Sequence, residues 1–576
     1  MTTAAEDRLR TPTAEAAAEA RRTAEGSPLE VMLADAALGP LRRALPGVAG
    51  LRLAAHYGTR PVESTRRALA TARDVAKVAV GRSPVEIPAR DRRFADPAWQ
   101  GNPALRRLAQ AYLVWSESVE RLVDDAGLDW RDEQRLRFAA HMLVDALAPS
   151  NAPLLNPSAV KAAIDTGGRN YLVGLGQFLQ DMRSEPRIPA MVDGRGFRVG
   201  GNLATSRGAV VLRTPVFELI QYRPCTETVR ESPLLLVPPM INKYYVADLA
   251  PGRSMVEHYV ESGQQTFAMS WRNPTAEHRG WDLDTYARAV LEALDAVLEI
   301  TGAERGHVLG LCAGGITASV AVAHLAATGD LDHVAGLTLG VTLLDQARAG
   351  TVGAMVDDAT AQVAVAQSQR KGYLDGRALA GVFAWLRPND LIWNYWVNNY
   401  LLGKRPPAFD VLYWNADTTR MPAGLHRDFI RMSLDNALVH PGGATVLGTP
   451  VDLSKVDVDS YVVAGQTDHI CPWEQCYRSV QLLGGQSRFV LSTAGHIAAL
   501  VNPPGNAKSS FRVNDACPEA PAEWVAGAAK HPGSWWTDHV AWLTERSGDV
   551  VPAPAQLGSD RYPPTGKAPG TYVLEQ

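Results

Sequence analysis

The chain has 576 residues, of which 46% are hydrophobic and 20% charged, and its formal net charge at pH 7 is −4. This composition is that of a soluble globular protein with about two to four domains, and the absence of a basic stripe excludes an extended nucleic-acid surface. The five cysteines are sparse and odd in number, so neither a disulfide framework nor a zinc site at Cys471 and Cys476 is expected. Neither a secretory signal nor a membrane span is visible, which predicts a cytoplasmic protein.

The first third of the chain predicts helices. Residues 1–27 are rich in Ala, Glu, Arg and Thr and are expected to be a mobile tail. Residues 28–195 are expected to form a mainly helical domain, because segments such as "PALRRLAQAYLVWSESVERLVDDAG" place apolar residues three to four positions apart. No catalytic motif is visible in this part.

From residue 196 onward, strands alternate with helices. "GAVVLRTPVFELIQYRP" predicts two strands around a turn, and "PLLLVPP" and "QTFAMSW" are apolar runs typical of buried strands. The alternating helices and strands that follow are predicted at residues 284–302 (helix, ended by Gly302), 307–312 (strand), 314–329 (helix) and 334–344 (strand). This order predicts an α/β fold in which helices cover both faces of a parallel sheet.

The alternation stops between residues 346 and 445 and resumes with strands near 459–468 and 487–496. The interrupting segment is predicted to have irregular structure and is rich in aromatic residues, Trp414 among them. It is predicted to be a lid or cap inserted into a catalytic core made of residues 196–345 and 446–576. Each aromatic side chain there could shield the site from water or simply pack in a core, and Trp414 could also serve a dimer contact or a substrate channel.

The sequence "GLCAGG" at residues 310–315 predicts a nucleophile elbow, the sharp turn of the α/β-hydrolase fold. A strand leads directly to Cys312, and a helix follows at once. Gly310 and Gly314 leave room for the neighbouring backbone, and Gly315 allows the helix to approach the sheet. The helix N-terminus favours a thiolate at Cys312, which is therefore the predicted nucleophile.

The expected oxyanion hole has two backbone donors. One is the N–H group of Ala313, directly after the nucleophile, and the other is expected from the loop near Met240 and Ile241, with Ile241 preferred.

The catalytic partners are predicted from chain order, which in this fold is nucleophile, acid, histidine. Asp468 and His496 each follow a predicted strand, where open α/β sheets place their sites. His496 is expected to accept the thiol proton and Asp468 to orient the imidazole. His469 is a less favoured candidate for the base, because the role of its neighbour Asp468 favours a structural hydrogen bond for it instead.

Several motifs together resemble the polyhydroxyalkanoate synthases, over roughly residues 85–545. They are "DALAPSNAPLLNP", "LLLVPPMINKYYVADLAPGRSMVEHYV", "SWRNP", "GLCAGG", "YLLGKRPPAFDVLYWNADTTRMP", "AGQTDHICPWEQCYRS" and "GHIAALVNPPGN". The resemblance implies a single-subunit polymerase that links 3-hydroxyacyl units from coenzyme A thioesters and releases CoA. The catalytic Cys, Asp and His of the family fall on Cys312, Asp468 and His496.

The resemblance carries further expectations about partners and substrates. It implies no cofactor and no metal, a cytoplasmic homodimer, and contact with the growing polyester and its granule surface. The sequences of residues 264–274 and 476–511 resemble more closely those of synthases that accept medium-length acyl chains. Two alternatives remain at this stage: a thioesterase or polyester depolymerase of the same fold, and a granule-coating protein without catalysis.

Overall fold

A computed structural model describes residue 36 and residues 47–346 and 358–576. The predicted mobile tail at residues 1–27 lies outside the described residues. No helix among the described residues is long and apolar enough to cross a bilayer.

The described residues before 195 are largely helical, as predicted. The helices are α1 (Gly47–Gly58), α2 (Pro61–Ala79), α3 (Ala98–Gly101), α4 (Pro103–Asp124), α5 (Trp130–Ala146), α6 (Pro157–Thr166) and α7 (Arg169–Asp181). The sequence explains why α4 begins at Pro103. The Asn102 side chain accepts hydrogen bonds from the N–H groups of Ala104 and Leu105, and proline is favoured at the first helical position. A small core around Phe94, Trp99 and Tyr112 packs α3, α4 and α5 together.

The rest of the chain is organised around one mixed sheet. The strands along the chain are β1 (Gly208–Arg213), β2 (Phe217–Tyr222), β3 (Thr228–Arg230), β4 (Leu234–Val237), β5 (Thr266–Trp271), β6 (Gly306–Leu311), β7 (Val334–Gly340), β8 (Tyr373–Leu374), β9 (Met421–Pro422), β10 (Thr445–Val446), β11 (Thr449–Pro450), β12 (Ser460–Gly465), β13 (Ser487–Ser492), β14 (Ser510–Val513), β15 (Ala529–Pro532), β16 (Val550–Pro552) and β17 (Gly566–Lys567). Within the described residues the main sheet has the order β15-β14-β13-β12-β7-β6-β4-β5-β2-β1-β17. The three pairs outside it are β3 with β16, β8 with β9, and β10 with β11.

The centre of this sheet is parallel and its edges are antiparallel. β13, β12, β7, β6, β4 and β5 run parallel to their neighbours in this series, whereas β14, β15, β2, β1 and β17 are antiparallel. The central strands are buried along their length, which explains their continuous apolar sequences. The carboxyl ends of β6, β12 and β13 therefore meet at one edge, and the residues that follow them become neighbours.

Helices cover both faces of the sheet. They are α8 (Met255–Glu261), α9 (Leu283–Thr301), α10 (Ala313–Thr328), α15 (Trp473–Leu482), α16 (His496–Leu500), α17 (Pro521–Gly527) and α18 (Trp535–Arg546). The predicted end of α9 is confirmed, because Gly302 takes the left-handed conformation with φ 70°. These elements confirm the predicted α/β order, although β7 ends at Gly340, earlier than expected.

The predicted irregularity of residues 346–445 is wrong for the described part of that segment. It contains α11 (Asp358–Lys371), α12 (Gly376–Leu386), α13 (Asp410–Ala416) and α14 (Ala423–Leu434), with π-helical turns at Asn389–Trp393 and Trp396–Leu401. In the π-helical turns the aromatic residues obscure the helical period of the sequence, because they pack both against one another and against a remote helix. Trp393, Trp396 and Tyr400 contact one another along the π-helical turns, and Phe178 of α7 packs edge-on against Trp396 and Tyr400.

Candidate active site

Cys312 lies at the junction between β6 and α10. Its backbone has φ 51° and ψ −120°, a strained combination for a residue with a side chain. The strain is held by neighbours on both sides: the Cys312 N–H donates to the Gly340 carbonyl at 2.8 Å, and the Thr342 hydroxyl donates to the Cys312 carbonyl at 3.2 Å. The turn therefore presents the thiol at the carboxyl edge of the sheet.

The three glycines of the elbow lie where no side chain has room. A Cβ atom on Gly310 would stand 2.5 Å from the Cα atom of Gly315. A Cβ atom on Gly314 would overlap the Val237 carbonyl at the end of β4, and one on Gly315 would overlap the Thr342 side chain. The start of α10 thus touches both neighbouring strand ends, and the small residues of "GLCAGG" make that approach possible.

His496 and Asp468 form a hydrogen-bonded pair beside Cys312. Nδ1 of His496 lies 2.7 Å from Oδ2 of Asp468, and both side chains are buried. The other carboxylate oxygen of Asp468 accepts the N–H groups of Ile470 at 2.8 Å and Cys471 at 2.9 Å. Asp468 is therefore fixed by its own loop, and the other ring nitrogen of His496 is left for the thiol.

The charges of the site favour a thiolate and an imidazolium. The Cys471 thiol lowers the pKa of Cys312, burial opposes this, and the His496 ring and the Ala313 N–H lower it further, to about 5. Burial lowers the pKa of His496, but the negative charges of Asp468 and Cys312 outweigh it and raise that pKa to about 10. At neutral pH the two groups therefore form an ion pair.

His469 stands in a different environment from His496. Burial is the largest influence on its ring and lowers its pKa to about 4, so it is neutral at pH 7. The charges that act on it include those of Arg387 and Asp390, which lie at the end of α12 and the π-helical turn after it. Asp468 directs its carboxylate to the His496 ring although His469 is its neighbour in the chain.

The loop after β4, where the second oxyanion donor was expected, begins against Gly314 of the elbow and is tied further along to Thr419. The Thr419 N–H donates to the Ile241 carbonyl at 3.2 Å, and its hydroxyl donates to the Met240 carbonyl at 2.6 Å. With both carbonyls turned toward Thr419, the loop has a fixed orientation next to the start of α10. Ala313 opens that helix, so both predicted donors lie on segments adjoining Cys312.

Trp414 anchors the inserted segment to the same loop. Its indole N–H donates to the Lys243 carbonyl at 2.7 Å, and its side chain is buried. Asp417 accepts a hydrogen bond from Tyr245 at 2.8 Å, which ties the end of α13 to the loop a second time. Within this chain Trp414 is a buried structural anchor, in line with the core-packing interpretation of the lid aromatics.

Cys471 is a component of the site that sequence reasoning missed. The Cys312, Cys471 and His496 ligand atoms all lie within 4.8 Å of one another. The available signal was its position, three residues after Asp468 on a loop expected at the carboxyl edge. The sequence interpretation had considered Cys471 only together with Cys476, as a metal pair, and had set both aside.

Among the residues that the structure describes, these same three side chains are spaced closely enough to hold a metal ion. Two sulfur atoms and one imidazole nitrogen are donors that soft divalent ions accept. An ion bound there would occupy the thiol and the imidazole that the elbow arranges for chemistry. The expectation of no metal therefore stays a prediction.

Comparison with known proteins gives two family matches. Residues 90–259 match "Poly-beta-hydroxybutyrate polymerase (PhaC) N-terminus", and residues 242–503 match the alpha/beta hydrolase fold. The second match and the sheet order confirm the predicted α/β-hydrolase fold, and the first covers most of the helical N-terminal region.

The chain is also similar over most of its length to several named proteins. Poly(3-hydroxyalkanoate) polymerase 2 of Ectopseudomonas oleovorans is 46% identical over 89% of this chain and 92% of that protein. Poly(3-hydroxyalkanoate) polymerase 1 of the same organism is 46% identical over 90% of this chain and 92% of that protein. The poly(3-hydroxyalkanoate) polymerase subunit PhaC of Cupriavidus necator is 42% identical over 86% and 85%, respectively.

Proposed function

The chain belongs to the poly(3-hydroxyalkanoate) polymerase family, and from this premise we propose that Cys312 carries the acyl chain as a thioester while His496 and Asp468 move its protons. Membership makes the protein an acyltransferase that polymerises hydroxyacyl-CoA thioesters into polyester. The observation that carries the site proposal is the 2.7 Å contact between Asp468 and His496, whose ring and the Cys312 thiol lie within 4.8 Å.

Loading uses the ion pair of the resting site. The Cys312 thiolate attacks the carbonyl carbon of the acyl-CoA thioester, and the N–H groups of Ala313 and Ile241 receive the resulting oxyanion. Collapse breaks the bond to the CoA sulfur, which takes the proton of His496. CoA leaves as a thiol, His496 is left neutral, and the acyl group is held on Cys312.

Elongation returns the site to its starting state. The neutral His496 accepts the proton of a 3-hydroxyl group, whose oxygen attacks the thioester carbonyl on Cys312. A carbon–oxygen bond forms, the carbon–sulfur bond breaks, and Cys312 leaves as a thiolate beside the protonated imidazole. Asp468 holds the ring in one orientation and balances its charge in both steps.

A thiol suits this sequence better than a hydroxyl. Transfer from the CoA sulfur to another sulfur costs almost no free energy, so loading is reversible and the product remains reactive toward an alcohol. A serine would hold the chain as an oxoester, and transfer to a second hydroxyl would then have little driving force. Burial of the site also favours polymerisation, because water that entered it would hydrolyse the thioester and release a free acid.

We place the polyester contact on an exposed apolar face of the N-terminal helices. This apolar face consists of Leu154, Ile164, Leu172, Leu175 and Leu179, and Leu154 is 82% exposed, Ile164 77% and Leu172 73%. A cavity of about 540 Å³ in the same helical region is lined by Leu147, Leu155 and the two lid residues Trp393 and Trp396 among others. Several large apolar side chains exposed on neighbouring helices are typical of binding surfaces, and a polyester is an apolar partner.

The apolar face can be tested by partition. The double substitution of Leu172 and Leu175 to serine should lower the fraction of protein that sediments with polyester granules and leave CoA release from soluble substrate unchanged. Leu51→Ser on α1 is the matched control, since Leu51 is 71% exposed but lies on another helix. Equal partition of both variants would contradict this placement.

The predicted homodimer is checked separately by analytical ultracentrifugation.

One assay tests the catalytic proposal. The purified protein is incubated with 3-hydroxybutyryl-CoA, and free CoA, free hydroxy acid and insoluble polyester are measured. CoA and polyester should rise together without free acid. Cys312→Ala should abolish CoA release and retain the circular dichroism spectrum of the parent; residual activity above a few per cent of the parent would exclude Cys312 as the nucleophile.

A further inference from the structure

The active site holds two thiols where the reaction described above uses one. The sulfur atoms of Cys312 and Cys471 lie within 4.8 Å of each other, and the two residues are 6% and 2% exposed. The Cys471 N–H donates to the Asp468 carboxylate, so the same loop fixes the acid of the triad and the second thiol. The reaction steps on Cys312, His496 and Asp468 are complete without any bond to the Cys471 sulfur.

The two thiols differ in protonation. Burial raises the pKa of Cys471 well above its usual range, whereas the pKa of Cys312 is lowered to about 5. At neutral pH a thiolate therefore faces a thiol across a short gap. A thiolate reacts readily with a hydroperoxide, and an adjacent thiol can then capture the oxidised sulfur.

We propose that Cys312 and Cys471 form a reversible oxidation site for hydroperoxides, a modification that stops acyl loading; this rests on the proposed role of Cys312 as nucleophile. The Cys312 thiolate attacks the outer oxygen of the hydroperoxide, which breaks the O–O bond and yields a sulfenic acid and an alkoxide or hydroxide. The Cys471 thiol then attacks the sulfenic sulfur, forming the S–S bond and releasing water. Two electrons pass from the two sulfurs to the peroxide, and a dithiol reverses the change.

The second thiol protects the first from permanent loss. A sulfenic acid without a nearby thiol reacts with more peroxide to a sulfinic acid, which dithiols do not reduce. Closing the S–S bond requires the sulfurs to approach to about 2.05 Å. Cys471 lies outside the regular elements, between β12 and α15, so this approach needs movement of a loop and side-chain torsions and leaves the sheet in place.

Cys476 provides a matched control. It is also buried, and its thiol donates to the Cys471 carbonyl at 3.7 Å. It is not a member of the close group of ligand atoms around His496 in the described part of the chain. The substitution Cys476→Ala removes a buried thiol from α15, directly after the loop that carries Cys471, and leaves the proposed partner of Cys312 in place.

The experiment compares the parent, Cys471→Ala and Cys476→Ala after treatment with hydrogen peroxide, in the presence of a chelator and without reductant. Peptide mass spectrometry should find a Cys312–Cys471 disulfide in the parent and in Cys476→Ala. CoA release, normalised to each variant before oxidation, should fall and then return after dithiothreitol in both. Cys471→Ala should lose activity permanently and carry sulfinic or sulfonic acid at Cys312.

Three results would overturn the inference. They are a parent in which Cys312 is over-oxidised with no disulfide, a disulfide that joins Cys471 to Cys476 instead, and a Cys471→Ala variant that recovers as fully as the parent. The mass spectrum reads the chemistry directly, so it remains informative if Cys471→Ala has a low starting rate. Failure of the proposed function is separate, since Cys312→Ala would then stay active before any oxidation.

Discussion

The Asp468 carboxylate bonds at 2.7 Å to the ring of His496, which lies 28 residues further along the chain, although His469 is its immediate neighbour. The reason is the topology of the sheet. β12 and β13 are adjacent and parallel, so the residues that follow their carboxyl ends meet, while successive residues of one loop point in different directions.

The first prediction separates the two histidines. His496→Gln should lower CoA release by about a thousandfold or more, because it removes the group that exchanges protons with both CoA and the hydroxyl. His469→Gln should cost much less, since the neutral His469 ring lies outside the proton path. Rates are measured at saturating substrate, with circular dichroism to verify folding. Equal losses in two folded variants would exclude the assignment of His496 as the base.

The second prediction concerns pH. Below about pH 5 the Cys312 thiolate takes up a proton and the nucleophile is lost, and above about pH 10 His496 loses the proton that the departing CoA needs. The kcat/KM of loading should therefore rise through the lower value, form a plateau, and fall through the upper one, with both limits belonging to the coupled pair.

Asp468→Asn tests the cause of that plateau. The amide keeps the shape of the carboxylate but lacks the charge that helps to raise the pKa of His496. The upper limit should move to lower pH, whereas the lower limit should stay close to its value because the imidazolium beside the thiolate keeps its full charge near pH 5. An unchanged plateau in the variant would mean that Asp468 does not set the protonation of His496.

The third prediction concerns the glycines of the elbow. Gly314→Ala places a methyl group against the Val237 and Pro238 carbonyls, so it should destabilise the fold by about 1–3 kcal/mol and reduce activity by displacing the loop after β4. Gly176→Ala is the control, because Gly176 lies in α7 with nothing within 4 Å of the new atom. Thermal unfolding should show a lower Tm for the first variant alone; similar Tm values for both would contradict the close packing at the elbow.

The fourth prediction is the acyl length. Following the resemblance of residues 264–274 and 476–511 to synthases for medium-length chains, we expect useful activity with acyl groups of six carbons or more. Each buried methylene adds about 0.8 kcal/mol of binding where it has room. The test is kcat/KM for 3-hydroxybutyryl-CoA and 3-hydroxydecanoyl-CoA with one preparation. A preference of about tenfold, or 1.4 kcal/mol, for the shorter substrate would contradict the expectation.

The sequence by itself determined the features that depend on local backbone geometry. The strand, Cys312 and helix of the elbow follow from a few consecutive residues. The three glycines are required because neighbouring backbone and the Thr342 side chain leave no room beside them. The alternation of strands and helices placed Asp468 and His496 at strand ends, and the known order of partners in this fold then linked them to Cys312. Such inferences are possible because each uses one segment and one rule of topology.

Only the tertiary structure decided which distant side chains meet. Cys471 lies 159 residues after Cys312, and its position three residues after Asp468 places it near the carboxyl edge without indicating whether its sulfur points toward the nucleophile or into the core. The π-helical turns at Asn389–Trp393 and Trp396–Leu401 were hidden for the same reason, since their aromatic residues pack against one another and against Phe178 of a remote helix. Periodicity reports one buried face, whereas contacts between remote segments depend on how whole elements pack, and that information is not contained in any one stretch of the chain.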